Sequence, residues 1–107
     1  MIQWAIEPEE IKKYLCDLWK LEYPGQICLP SFYSWEIKKT SLCHIVYGKP
    51  ASKISKQKIN NFIQLINSGV ALQPLVCLNG ELIDGYHRYN AYKKCNIFDD
   101  INIYINK

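Results

Sequence analysis

The amino-acid sequence predicts a small α/β domain in which helices pack against a mixed sheet, and three observations carry that expectation. Ile59, Phe62, Ile63 and Ile66 recur at the i, i+3, i+4, i+7 spacing of one helical face. Pro74-Leu75-Val76-Cys77-Leu78 and Glu81-Leu82-Ile83 flank Asn79-Gly80, the preferred two-residue turn of a β-hairpin. Ile101, Ile103 and Ile105 alternate with Asn102, Tyr104 and Asn106, the period-two pattern of a half-buried strand.

In chain order, Glu7-Pro8-Glu9-Glu10 places proline and acids where a helix's first turn accepts them. Ile11, Leu15, Leu18 and Trp19 follow on one face, predicting a helix from about Pro8 to Leu21. Pro24-Gly25 and Pro30-Ser31 break the chain next, and segments 26–29, 32–37 and 44–47 are candidate short strands. Ser55 is an N-cap for the second helix, and Asn67-Ser68-Gly69 stops it. After the hairpin, Asp84-Gly85 ends the strand and residues 86–95 form a third helix that closes near Asn96. The strand at 100–105 completes one domain over residues 1–107, with no internal repeat and no dividing linker.

Composition narrows the class. Apolar and aromatic residues make up 49% of the 107 residues, enough for a core and unlike a disordered chain. Five cysteines at wide spacings, with no C-x-x-C pair, predict neither a zinc site nor a disulfide framework and place the chain in a reducing compartment. No apolar run approaches the roughly 20 residues of a membrane span, and Met1-Ile2-Gln3-Trp4 lacks the plan of a signal peptide. The expectation is a cytoplasmic protein without a membrane partner.

The chemistry concentrates at Leu82-Ile83-Asp84-Gly85-Tyr86-His87-Arg88-Tyr89. A strand that ends in glycine and opens directly into a helix presents unpaired N–H groups and the positive end of the helix dipole at one point, where anions bind. Gly85 lets a ligand approach the backbone closely, and His87 and Arg88 stand in the first turn with side chains able to reach the same anion. Arg88 is the sole arginine beside twelve lysines, which suits a planar, bidentate donor to phosphate or carboxylate. The bland alternatives are that His87 and Arg88 solvate a helix start and that Asp84 caps it.

The run Pro74-Leu75-Val76 … Asn79-Gly80-Glu81-Leu82-Ile83-Asp84-Gly85-Tyr86-His87-Arg88-Tyr89 … Ala91 resembles the signature segment of the ParB/sulfiredoxin superfamily. There a strand and short turn lead into D-G-x-H-R at the head of a helix, and residues 53–105 follow that order. The resemblance implies a ParB/sulfiredoxin-like fold and a nucleotide-phosphate site. Gly85, His87 and Arg88 match phosphate-holding positions, and Lys58 and Asn61 match polar nucleotide contacts. Sulfiredoxins carry their reactive cysteine where this chain has Tyr86, which cannot form a thiolate, so sulfiredoxin activity is not expected. Twelve residues follow Cys95, which argues against the helix-turn-helix and dimerisation segments of DNA-clamping ParB proteins. The free-serine kinases of the superfamily imply Asp84, His87 and Arg88 as catalytic residues, with Asp84 a base or a Mg²⁺ ligand.

The expected function is therefore an NTP hydrolase or small phosphotransferase. It would use ATP or another nucleoside triphosphate or diphosphate, with Mg²⁺ and a small-molecule or protein acceptor. No protein cluster for a metal is expected. The competing expectation is a non-catalytic module that senses nucleotide, binds nucleic acid or contacts a protein. Lys53, Lys56, Lys58, Lys93 and Lys94 form either a basic face for nucleic acid or a solvated one. Trp4, Trp19, Tyr23, Phe32, Tyr33 and Trp35 are read as core, His44 as core or strand edge, and Glu36 and Glu81 as solvated.

Overall fold

The computed structural model describes residues 8–22, 24, 25, 27, 33–50, 53–70 and 72–106. Helix α1 spans Pro8–Glu22, strand β1 Trp35–Thr40, helix α2 Lys56–Asn67, strands β2 and β3 Leu75–Leu78 and Glu81–Asp84, helix α3 Tyr86–Lys94 and strand β4 Ile101–Asn106. A 3₁₀ turn at Leu42–His44 follows β1. The result is a mixed α/β domain with one four-stranded sheet, in the order β1-β4-β2-β3. Strand β4 is antiparallel to β1 and parallel to β2, and β2 is antiparallel to β3.

The hairpin follows from its turn. Asn79 and Gly80 both adopt positive φ, 51° and 83°, as a turn matched to the twist of the flanking strands demands. Asn79 is also tied to the last strand: its N–H donates to Asn106 Oδ1 at 2.7 Å, and Asn106 Nδ2 donates to Asn79 Oδ1 at 2.9 Å. Helix α2 begins as its sequence predicts, with the Ser55 hydroxyl accepting from the Lys58 N–H at 3.3 Å.

Both faces of the sheet are covered. On one, Leu75, Cys77, Leu82, Ile101 and Ile103 pack with Leu42 and Ile45 and with Tyr86, Tyr89 and Tyr92 of α3. On the other, Val76, Tyr104 and Trp35 pack with Leu15 of α1. This double coverage corrects the expectation of a half-buried last strand. Tyr104, placed on the polar side by the alternation, is fully buried, because α1 closes the face it points to. Helix α2 lies against α3 rather than against the sheet and buries Ile59.

The middle third differs most from expectation. The strand there is 35–40, three residues later than the candidate 32–37. Segment 44–47 is no strand but contributes one bridge, from Val46 to Glu81, with Leu82 N–H donating to Val46 O at 2.8 Å. Residues 26, 28 and 29 of the candidate strand 26–29 lie outside the described residues, as do Trp4, Tyr23 and Phe32. His44 is exposed, not core, and Glu36 and Glu81 are exposed as expected. Cys16 is disulfide-bonded, where the sequence predicts no disulfide framework, while Cys43, Cys77 and Cys95 are free. No helix among the described residues is long and apolar enough to cross a membrane.

Candidate functional site at the start of helix α3

Strand β3 reaches the site through a bulge. Cys77 pairs with Leu82 and Val76 with Asp84, so Ile83 is the extra residue of β3. Such an insertion bends and twists its strand and re-aims the side chain that follows. Here that side chain is Asp84, the last residue before the turn.

Gly85 makes the turn. It is the N-cap of α3 in the left-handed region, φ 96°, and its carbonyl accepts from Tyr89 N–H at 2.8 Å to close the first helical turn. No side chain caps this end, so the N–H groups of His87 and Arg88 have no intrahelical acceptor and face outward with the dipole. A Cβ at Gly85 would stand 2.7 Å from Leu75 Cδ2 and 2.9 Å from Arg88 Nη2. Glycine is thus needed twice, for the backbone angle and for the guanidinium laid over its Cα.

Arg88 is buried, with a side chain 9% exposed, and pairs with Asp84 through Nη2 and Oδ2 at 3.1 Å. Its Nε has no partner among the described residues. The same Asp84 oxygen accepts from Tyr14 of α1 at 3.1 Å. Burial, and then the negative charge of Asp84, push the Tyr14 hydroxyl up to about 12, so Tyr14 stays a protonated donor. Sequence reasoning missed Tyr14. Its partner lies 70 residues away on another element, and no local pattern marks it.

His87 faces the second helix. Its Nε2 accepts from the backbone N–H of Ser55, the N-cap of α2, at 3.0 Å. Burial first, then the charges of Lys58 and Arg88, lower its pKa below the ordinary histidine value, against an opposing pull from Asp84. A neutral imidazole whose Nε2 is an acceptor carries its proton on Nδ1. His87 therefore carries its N–H donor on Nδ1 without a full charge.

These residues line a cleft of about 300 Å³, together with Tyr14, Lys58 and the apolar side chains of Pro50, Ile54, Phe62 and Ile83. Asp84, Gly85, His87, Arg88 and Lys58, singled out from sequence, all reach this one cleft. Asn61 does not line it; its Oδ1 accepts from Gln57 Nε2 at 3.1 Å on the exposed face of α2. Tyr86 also lines the cleft, with its hydroxyl donating to Leu82 O at 2.6 Å. No group of three or more His, Cys, Asp or Glu side chains among the described residues could hold a metal ion. Comparison with protein-family models, with characterised proteins and with solved structures yields no match.

Proposed function

We propose that this domain binds a nucleotide by its phosphates at the start of α3 and acts as an NTP hydrolase or small phosphotransferase of the ParB/sulfiredoxin-like kind. One observation carries the reading. Arg88, nine-tenths buried beside an uncapped helix N-terminus, makes one side-chain hydrogen bond among the described residues, through Nη2 to Asp84, and leaves its buried Nε without a partner there. An unpartnered donor on a buried cation is costly unless a ligand uses it, and phosphate oxygens match the planar guanidinium. In this reading the His87 and Arg88 amides, the His87 Nδ1–H and Lys58 share the phosphate charge. Pro50, Ile54 and Phe62 give the rest of the nucleotide an apolar wall, and a cleft of about 300 Å³ suits a small ligand. Asp84 keeps Oδ1 without a partner among the described residues and serves as base or Mg²⁺ ligand.

A second reading, binding without turnover, is favoured by one feature. Asp84 Oδ2 is shared by Tyr14 and Arg88, and His87 Nε2 is spent on Ser55, so one carboxylate oxygen is the sole base left. Thermal-shift titration with ATP, ADP, CTP and GTP, with and without Mg²⁺, tests the shared part of both readings. Phosphate release from the same nucleotides separates them. A melting-temperature rise lost in Arg88→Ala supports the site, because a ligand of the folded state must stabilise it. Turnover lost in Asp84→Asn supports the enzyme, and binding with no turnover leaves the sensor. No shift with any nucleotide overturns both.

A further inference from the structure

Positive charge is not spread evenly over this protein. Residues 49–58 contain Lys49, Lys53, Lys56 and Lys58 and no acid, while the rest of the chain holds nine basic and ten acidic residues. All the excess charge therefore lies in ten residues: of the described ones Pro50, Ile54 and Lys58 line the cleft, and Lys49, Lys53 and Lys56, their neighbours in sequence, are exposed. Two acids come near. Asp84 is already engaged by Arg88, and Glu81 lies over Gly48, at the start of the segment.

A free nucleotide does not account for this charge, since Lys58 alone of the four lines the cleft. We propose that the cleft receives the terminal phosphate of a single-stranded nucleic acid whose following phosphodiesters run along Lys49, Lys53 and Lys56. This rests on the anion site proposed above, and it replaces the free nucleotide by a strand end. Within that site the terminal phosphate meets the α3 amides and the buried, under-used Arg88. The first base meets Phe62, Tyr14 and the apolar wall, since aromatic side chains hold single-stranded bases by stacking whatever the sequence. The lysines supply the sequence-independent part of affinity through counterion release. An acidic peptide would use the lysines but not the phosphate-matched helix start.

The test is fluorescence anisotropy with one labelled oligonucleotide in two forms, 5′-phosphorylated and 5′-hydroxyl, and with its 3′-phosphorylated isomer, on the full chain. With about four lysine contacts, affinity for the phosphorylated end should fall about 50-fold between 50 and 200 mM salt. The variant Lys49→Gln/Lys53→Gln/Lys56→Gln should flatten that dependence to about one contact. Arg88→Ala should remove the preference for a terminal phosphate while keeping the part of the salt dependence that the lysines supply. Oligonucleotide binding that ignores both the end phosphate and Arg88 overturns the proposal, as does a lysine variant that binds like wild type. If ATP stabilises the protein and no oligonucleotide binds, the strand-end proposal fails and the nucleotide reading stands. If neither binds, the anion site itself fails.

Discussion

At the scale of single residues the site is a contest for a few polar atoms, and two substitutions probe it. Gly85→Ala forces a Cβ into the left-handed region and to 2.7 Å from Leu75 Cδ2, a side chain with no exposed surface into which to yield. The expected loss is about 2 kcal/mol of stability by denaturant titration, together with displacement of Arg88 and loss of anion binding. A loss below about 0.5 kcal/mol would mean that the turn relaxes freely. His87 predicts a pH dependence. Its folded pKa lies below the ordinary value of 6.5, so in mildly acidic solution the unfolded chain binds a proton that the folded chain refuses. Stability should fall as pH drops through about 6.5 and stop falling from this source below the folded pKa. Protonation also removes the acceptor that Ser55 N–H uses. Denaturation midpoints at about pH 7.5 and about pH 5.5 should converge in His87→Gln, and an unchanged difference would assign the effect elsewhere. Five of the six residues singled out from sequence share the cleft because four are held within one turn, 84–88, whose geometry is local. Tyr14 was invisible because only tertiary packing brings α1 to Asp84.

At the scale of elements, local chemistry decides where each begins and ends. Helix α2 shows this in a form that can be measured. The Ser55 side chain caps it through Lys58 N–H, while the Ser55 backbone N–H binds His87. The two functions are separable. Ser55→Ala should cost about 1 kcal/mol through the lost cap and yet keep the backbone donor to His87, so anion binding measured by calorimetry should survive. A loss of binding larger than the loss of stability would show that the hydroxyl itself serves the site. The hairpin and α2 were legible because their turn and cap residues act on their immediate neighbours. The strand lies at 35–40, three residues beyond the expected 32–37, because Lys38-Lys39-Thr40 carry no apolar signal and Ile37 stays half exposed on an edge strand. Pairing with β4 makes it a strand, and that partner lies some 65 positions later.

At the scale of the whole molecule, the layered arrangement determines what is protected. Tyr104 and Val76 are buried on the face covered by α1, and Ile103 and Cys77 on the face covered by α3. The unbroken apolar run of β2 fits closure on both faces, whereas the alternation of β4 does not announce it. Alternation reports one partner layer, and the second comes from a helix at the other end of the chain. Cys77 turns this into a test. It sits on β2, hydrogen-bonded between β4 and β3, is 1% exposed, and its thiol is pushed up to about 12 by burial alone. A thiolate-selective reagent can reach it only when the sheet separates and water enters. Cys43, exposed after β1, needs no such opening. Native-state labelling followed by mass spectrometry should therefore modify Cys43 at once and Cys77 more slowly by at least about 10³-fold, the ratio set by a domain of ordinary stability. The Cys77 rate should accelerate with denaturant along the same slope as global unfolding. Labelling of Cys77 that is fast and insensitive to denaturant would show that β2 opens locally, and that the layers over the two faces do not unfold as one unit.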